Sequence, residues 1–161
     1  MMRRLLFFLA VVWVACSCSS IDCPVQTAVR TYYALQKSDQ TTDTLKDTLY
    51  VVSKLLGGKD TLLLDNAINL TTFSLPIGYA NPDDTLCFRL RNGSYAATDT
   101  VWIKKENYPH FESVDCSAAF FHRLTAVRYT HHAIDSIIIN SPTVDYDPKT
   151  VHFYLYLKSH D

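Results

Sequence analysis

The sequence predicts an all-β fold, a single immunoglobulin-like antiparallel β-sandwich of about eight strands that follows an N-terminal signal peptide. Three observations lead to this prediction. Apolar and polar residues alternate with a period of two in many short segments, turn-forming residues separate these segments, and no helical period persists beyond the first residues. The chain has 161 residues, which is enough for one domain with its own hydrophobic core.

The first element is an export signal over residues 1–15. Arg3 and Arg4 precede an unbroken apolar run that ends at Ala15, which is the pattern of a secretory signal peptide. This run is too short for a transmembrane helix, which needs about 20 residues, and we expect no transmembrane segment in the mature chain. Residues 16–26 should then form a short segment between the signal and a β-sandwich domain over residues 27–161.

The residues at the end of the signal predict a lipid anchor. Val14-Ala15-Cys16-Ser17-Cys18 resembles a bacterial lipobox, in which a cysteine becomes the lipidated first residue of the mature chain. The small residues before Cys16 favour that cysteine slightly, and Cys18 stays open; the alternative is soluble secretion after cleavage at Ala15. Attached acyl chains contribute about 0.8 kcal/mol per buried CH₂ group, so such an anchor would be effectively permanent. We therefore expect attachment to the outer membrane, on its periplasmic side.

The charge balance excludes one class of partner. The chain has 15 Lys and Arg against 16 Asp and Glu, and removal of Arg3 and Arg4 with the signal would make the mature chain more acidic. Its remaining basic residues form no run. Nucleic-acid binding therefore has no electrostatic support.

The cysteines of an exported protein are candidates for disulfide bonds. Cys23 follows the anchor closely and Cys116 lies in a loop-like stretch, so these two are expected to form a bridge. Cys87 alternates with charged residues and is expected to be a free thiol on a polar face.

The two clearest strands lie at residues 86–91 and 151–158. In both, every second residue is apolar and the residues between are mostly polar, as in strands with one buried face. Less regular segments of this kind are expected to form strands at 27–36, 47–54, 60–65, 68–75, 98–104, 120–130 and 134–140. The turn formers between them are Gly57-Gly58, Asn81-Pro82-Asp83, Asn92-Gly93 and Ser141-Pro142.

A tripeptide of Asp, then Thr or Ser, then an aliphatic residue occurs six times in the chain. Four copies, at Asp60, Asp84, Asp99 and Asp135, are expected to start strands, because Asp closes turns and β-branched Thr favours the pleat. The tripeptide also resembles the acceptor motif of the protein O-glycosylation system of anaerobic Gram-negative gut bacteria. The candidate acceptors, of which the first two have the most polar surroundings, are Thr44, Thr48, Thr61, Thr85, Thr100 and Ser136.

Four longer stretches carry a family resemblance: CSSIDCP from residue 18, FSLPIGY from 73, PHFESVDCSAAFFH from 109 and IDSIIINSPTVDYD from 134. Together they resemble an uncharacterised family of small lipoproteins, a domain of unknown function from gut bacteria of the same group. Cys23 and Cys116 match the cysteines of that pattern, which supports the expected bridge. The resemblance implies no catalytic residue.

Two clusters of acidic or histidine residues are candidate chemical sites. His110, Asp115 and His122 carry imidazole and carboxylate groups that can bind zinc, and they suggest a metal-dependent hydrolase as the alternative function. Their spacing matches no known zinc motif, so we expect no metal site. Asp145 and Asp147 are explained more simply by a turn than by calcium.

The tyrosines suggest a binding surface. Tyr154 and Tyr156 are expected on the strand face opposite Phe153 and Leu155, where tyrosine rings can stack on a sugar or pack against a partner. No cofactor is indicated. The sequence thus predicts a lipid-anchored, noncatalytic β-sandwich module of the periplasm or outer membrane that interacts with another envelope protein or a glycan.

Overall fold

The computed structural model describes residues 29–55, 58–111, 113, 115–116 and 118–159. This part of the chain contains ten β-strands, and it contains no helix that is long and apolar enough to cross a bilayer. The strands are β1 (Arg30–Leu35), β2 (Thr48–Lys54), β3 (Thr61–Ala67), β4 (Thr72–Pro76), β5 (Asp83–Asn92), β6 (Tyr95–His110), β7 (Ala119–Tyr129), β8 (Ile134–Ile139), β9 (Thr143–Val144) and β10 (Phe153–Leu157).

The strands form two sheets that share one core. The smaller sheet has the order β4-β1-β10-β8, and the larger has the order β3-β2-β5-β6-β7-β9. Every pair is antiparallel except β1 with β10, which run parallel. The predicted all-β sandwich is confirmed, with ten strands among the described residues where about eight were expected.

Aromatic rings from both sheets form the centre of the core. In the smaller sheet, the buried ring of Tyr33 stacks between Phe73 and Phe153, with centroid distances of 4.8 and 4.9 Å. Phe88 of the larger sheet meets Tyr33 edge-on, with a centroid distance of 6.1 Å. These four rings alternate along their strands with half-buried or exposed residues, with Cys87 beside Phe88 as the exception, so the period-two pattern selects the inward face.

The two ends of the sandwich carry different connections. One end, here called the tip end, carries Val29 and the connections at 55–60, 77–82 and 111–118. The opposite end, here called the groove end, carries the segment 36–47, the turn at Gly93 and the connection at 130–133. Gly93 has a φ of +56°, which glycine adopts without strain, and it forms the predicted turn between β5 and β6.

One predicted strand start is wrong, and its correction explains part of the fold. Asp99 was expected to begin a strand, but it lies inside β6 and its side chain is fully buried. Its carboxylate accepts hydrogen bonds from the Thr130 hydroxyl at 2.6 Å and from the backbone N–H groups of His132, Ala133 and Ile134 at 2.7–2.8 Å. A single carboxylate therefore fixes the connection between β7 and β8.

Candidate functional site: a tyrosine face and a charged groove

The outer face of the smaller sheet carries a row of half-buried tyrosines. Tyr32 of β1 and Tyr154 and Tyr156 of β10 lie there, because the residues beside them, Tyr33, Phe153 and Leu155, point into the core. Ile138 of β8 lies opposite Tyr154 and is 49% exposed. We call Tyr32, Ile138, Tyr154 and Tyr156 the tyrosine face.

Hydrogen bonds and a buried histidine fix the positions of these rings. The Tyr156 hydroxyl donates to Gln36 Oε1 at 2.6 Å. The backbone N–H of Tyr32 donates to His152 Nδ1 at 3.0 Å, and the two rings stack with their centroids 5.9 Å apart. Burial lowers the pKa of His152, so its ring is neutral at pH 7 and Nδ1 is the acceptor.

A charged groove adjoins the tyrosine face at the groove end. Its volume is about 680 Å³, and Tyr156 contributes to both surfaces. The volume falls within the range of about 300–1,000 Å³ that is usual for ligand sites, although this groove is open to solvent. The other charged and amide side chains that line it are Gln36, Lys37, Asp43, Lys46, Asp135 and Lys158.

The groove rests on the connection that Asp99 holds. Lys158, one of its lining residues, donates through its backbone N–H to Ala133 O at 2.8 Å and through its amine to the carbonyl of His131. Burial raises the pKa of the Asp99 carboxyl, but the Thr130 hydroxyl and the three backbone N–H groups outweigh that effect and hold the pKa below its ordinary value. Asp99 is therefore ionised at neutral pH and keeps one wall of the groove in place.

The structure does not bring the suggested hydrolase residues together. His122 lies on the inner face of the β6–β7 ribbon and is buried, whereas His110 lies on the opposite face and stacks on Phe121 with centroids 4.2 Å apart. Asp115 lies in the connection beyond them. Within the described ranges, no group of three or more His, Cys, Asp or Glu side chains is arranged to hold a metal ion.

His122 is instead part of a polar network. Its Nδ1 lies 2.7 Å from Asn107 Oδ1, and Asn107 donates through Nδ2 to Tyr79 O at 3.0 Å. Burial, and then the nearby charge of Lys105, lower the pKa of His122 to about 4. The ring is therefore neutral at pH 7, with Nδ1 as the donor to Asn107.

The carboxylates at Asp145 and Asp147 serve the turn that the sequence predicts. Asp145 Oδ1 accepts from the backbone N–H of Asp147 at 2.8 Å. Asp147 in turn accepts from the backbone N–H of Lys149 at 3.0 Å and the hydroxyl of Thr150 at 2.7 Å. These bonds within the connection between β9 and β10 account for both side chains.

Comparison with known families gives one match. The profile of a family of unknown function, DUF6452, matches residues 48–157, which is more than half of the chain. The chain belongs to this family. The expected membership of an uncharacterised family is confirmed, while its lipoprotein character and gut-bacterial source stay expectations. No curated protein and no solved structure matches the chain significantly.

The region that matches DUF6452 includes every strand except β1. It begins at the first residue of β2 and ends at the last residue of β10, so it includes Tyr154, Tyr156 and Ile138. It omits β1, which nevertheless lies between β4 and β10 in the smaller sheet and contributes Tyr32 to the tyrosine face.

The cysteines have different outcomes. Cys16, Cys18 and Cys23 lie outside the described residues, so the lipid anchor and the Cys23–Cys116 bridge stay predictions; Cys116 itself is not a free thiol. Cys87 is a free thiol, as expected, but it is buried and not on an exposed polar face. It lies opposite Val52 and Thr100 in the middle of the larger sheet, where larger neighbours cover a small side chain.

The six candidate glycosylation residues differ in exposure. Thr44 and Thr61 are exposed, whereas Thr48, Thr85, Thr100 and Ser136 are half-buried in strands. The strand-start interpretation fits the copies at Asp60, Asp84 and Asp135, which lie at or near the start of β3, β5 and β8. Thr44 is therefore the acceptor that combines polar sequence surroundings with exposure.

Sequence reasoning missed the groove residues and the buried amine of Lys105. Lys37, Lys46 and Lys158 look like ordinary surface lysines in the sequence, since nothing local indicates that they line one groove. Lys105 falls between Lys104 and Glu106 in β6, a pattern that indicates a solvated strand, yet its side chain is buried. The available signal was weak: Lys105 keeps the inward phase set by Val101 and Ile103.

Proposed function

We propose that this chain is a lipid-anchored, noncatalytic module of the cell envelope that holds another envelope protein on the tyrosine face and in the charged groove. The observation that carries the proposal is the continuity of these two surfaces through Tyr156, beside the exposed Ile138. Tyrosines with an aliphatic neighbour are typical of protein-binding surfaces, because they bury a large apolar area and keep a polar tip.

The charges of the groove favour a protein partner over a neutral glycan. Three amines and two carboxylates line it: Lys37, Lys46, Lys158, Asp43 and Asp135. A polypeptide surface offers charges of both signs to such a groove, and paired charges fix the orientation of a partner. Among the strands that the structure describes, β8 forms the edge of the smaller sheet beside this surface, and such an edge can pair with a strand of a partner.

The sequence supports the anchor and its position. Arg3, Arg4 and the apolar run that follows form an export signal, and Cys16 or Cys18 would carry the lipid. We place the module at the outer membrane, facing the periplasm. Val29 and the connection that contains Cys116 share the tip end, and the six residues from Cys23 to Val29 can span up to about 20 Å. The location of Val29 and Cys116 at one end supports the proposed Cys23–Cys116 bridge.

The metal-dependent hydrolase is the weaker alternative. It requires His110, Asp115 and His122 to converge, and two of these side chains lie on opposite faces of one ribbon. For the glycosylation hypothesis, we propose Thr44 as the first acceptor to examine by peptide mass spectrometry of protein from the host. Hexose on that peptide would support it, and bare peptides for all six sites would contradict it.

Photocrosslinking in the host cell tests the binding proposal. A photoreactive amino acid at position 138 should capture a defined envelope protein, and Tyr154→Ala in the same chain should reduce that product severalfold. The matched control places the photoreactive residue at position 62, because Leu62 is equally exposed but lies in the other sheet. Equal products from both positions, or capture of glycan alone at position 138, would contradict a protein partner at the tyrosine face.

A further inference from the structure

The β6–β7 hairpin extends past the rest of its sheet and exposes aromatic rings. The pairing of β6 with β5 ends at Lys104, whereas its pairing with β7 continues to His110. Tyr79 and Phe111 are each 63% exposed and Tyr108 is 45% exposed. Tyr79 stacks on the half-buried Phe120 with centroids 4.6 Å apart. We call Tyr79, Tyr108, Phe111 and Phe120 the aromatic tip.

A buried ion pair and its neighbouring hydrogen bonds hold the connection that carries Tyr79 against the extended hairpin. The amine of Lys105 has no exposed surface, and it lies 2.8 Å from a carboxylate oxygen of Asp84 and 3.1 Å from the backbone oxygen of Asn81. Its backbone N–H donates to Pro82 O at 2.9 Å. Together with the bond from Asn107 to Tyr79 O, these contacts fasten the connection at 77–82 to the extended hairpin. Tyr79, whose ring stacks on Phe120, therefore lies on a connection that these contacts fix in place.

Val29, the first residue that the structure describes, lies at this same end. The backbone oxygen of Val29 accepts from the N–H of Ile77 at 3.3 Å, two residues before Tyr79. Val29 follows Cys18 by only 11 positions and Cys16 by 13. Even fully extended, such a segment spans at most about 40 Å from Cys18 or about 47 Å from Cys16. A lipid on either cysteine therefore keeps the aromatic tip at a high effective concentration next to the bilayer.

The chemistry of the tip matches the interfacial region of a bilayer. Tyrosine is enriched at the level of the lipid headgroups, where its ring contacts acyl chains and its hydroxyl stays hydrated. Leu55, which is 52% exposed, adds an aliphatic side chain at the same end. Four of the seven large apolar side chains that are exposed among the described residues thus lie at the end from which the tether leaves: Leu55, Tyr79, Tyr108 and Phe111.

We propose that the aromatic tip inserts into the headgroup region of the membrane that holds the lipid anchor. The sandwich then stands on its tip end, and the charged groove at the opposite end faces away from the lipid. This inference rests on the proposed lipid anchor, and it goes further by assigning the membrane as the ligand of residues that the proposed binding surface does not use.

Tryptophan quenching by brominated lipids tests the orientation. The full lipoprotein, with Trp102→Phe to remove the fluorophore of the folded domain, is reconstituted in phosphatidylethanolamine–phosphatidylglycerol vesicles with brominated acyl chains. Tryptophan is then introduced by Phe111→Trp or Tyr79→Trp, and by Ile68→Trp as the matched control. Ile68 is also exposed, at 46%, but it lies at the groove end.

Quenching severalfold stronger for the two tip variants than for Ile68→Trp, with emission shifted to shorter wavelength, is the expected result. Equal quenching of all three variants in vesicles that carry the protein would overturn the inference and leave the lipid anchor intact. A chain that fails to float with vesicles, and shows no lipid by mass spectrometry, would overturn the anchor and the inference together. The tryptophan emission of the two tip variants could instead shift to shorter wavelength in membranes of the host and yet not be quenched in brominated vesicles. That result would assign the tip to a protein partner.

Discussion

At the tip end, an amine is buried and aromatic rings are exposed, whereas at the groove end lysines line an open surface and one carboxylate is buried. Lys105 is buried in an ion pair with Asp84, at the end where Tyr79 and Phe111 are exposed. At the other end, Asp99 is sequestered beneath the connection that supports Lys158. Each end therefore has a buried charge that differs from its surface: a buried amine with exposed rings at the tip end, and a buried carboxylate with exposed lysines at the groove end.

The two buried charges stabilise different parts of the backbone. Burying a charge costs free energy unless hydrogen bonds and a partner compensate it. Asp99 is compensated by four donors from one short segment, so it fixes backbone. The amine of Lys105 contacts one carboxylate and one carbonyl, and its backbone N–H contacts a second carbonyl. These contacts join the connection at 77–82 to the hairpin. We expect that loss of Asp99 destabilises the groove end first and that loss of Lys105 destabilises the tip end first. The loss of Asp99 should lower the free energy of unfolding more.

The largest effect is expected for Asp99→Ala. Four hydrogen-bond donors would lose a buried acceptor, which should lower the free energy of unfolding by about 4 kcal/mol. Urea-induced unfolding measures this change, and Asp135→Ala serves as the control because Asp135 is exposed. A loss below about 1 kcal/mol would show that the connection at 130–134 does not depend on this carboxylate.

The next effect is expected at the tip end for Lys105→Ala. The change leaves Asp84 partly buried without its amine, and the loss should be about 3 kcal/mol. Hydrogen exchange should increase first in residues 77–82, which Lys105 fastens to the hairpin. Lys54→Ala is the matched control, because Lys54 forms an exposed ion pair with Asp60 near the same end, and its loss should cost about 0 to 1 kcal/mol.

Buried His122 should make the stability of the protein depend on pH. The pKa of His122 is about 4 in the folded chain, against an ordinary value of 6.5. Because folding favours the neutral ring, this contribution to stability is complete above pH 6.5 and is lost as the pH falls toward about 4. The associated loss should be roughly 1 to 3 kcal/mol.

The difference between wild type and His122→Gln isolates that contribution. Urea midpoints across this pH range should fall less in the variant than in the wild type. His131→Gln is the control, since His131 is exposed in the connection at the groove end. Identical pH profiles for wild type and His122→Gln would contradict a neutral, buried His122.

The smallest effect is expected for Tyr156→Phe at the tyrosine face. The ring stays, and only the hydrogen bond to Gln36 is lost, so stability should fall by about 1 kcal/mol or less. If the ring carries the contact with the partner, crosslinking from position 138 should persist in this variant and decline in Tyr156→Ala. Loss of the crosslink in both variants would give the hydroxyl, and not the ring, the main role.

Particular residues show how far sequence reasoning reached. The alternation around Phe88 and Phe153 gave the correct inward face, because a strand with one buried side repeats every two residues whatever its neighbours are. Alternation was wrong about the exposure of Cys87, and the turn chemistry of Asp was wrong about Asp99 as a strand start. Both errors have one cause: burial of a polar or small residue depends on side chains from other strands.

The candidate sites divide in the same way. Tyr154 and Tyr156 were found on their face from local alternation alone, since one strand decides it. The groove could not be found, because its lysines and carboxylates come from the segments 36–47, β8 and 158–159, which only the strand order brings together. The aromatic tip could not be predicted from the sequence either, because Tyr79 and Phe120 are 41 residues apart and meet only through the extended hairpin.

The period of the strands and the all-β class can be read from the amino-acid sequence, because both follow from backbone geometry and the exclusion of apolar groups from water. Three features could be seen only in the folded chain. β1 lies parallel to β10, Asp99 and Lys105 are buried, and exposed rings lie at one end while charged side chains line a groove at the other. The reason is physical: solvation and electrostatic partners of a side chain are set by neighbours in space, and strand pairing makes neighbours of residues far apart in the chain.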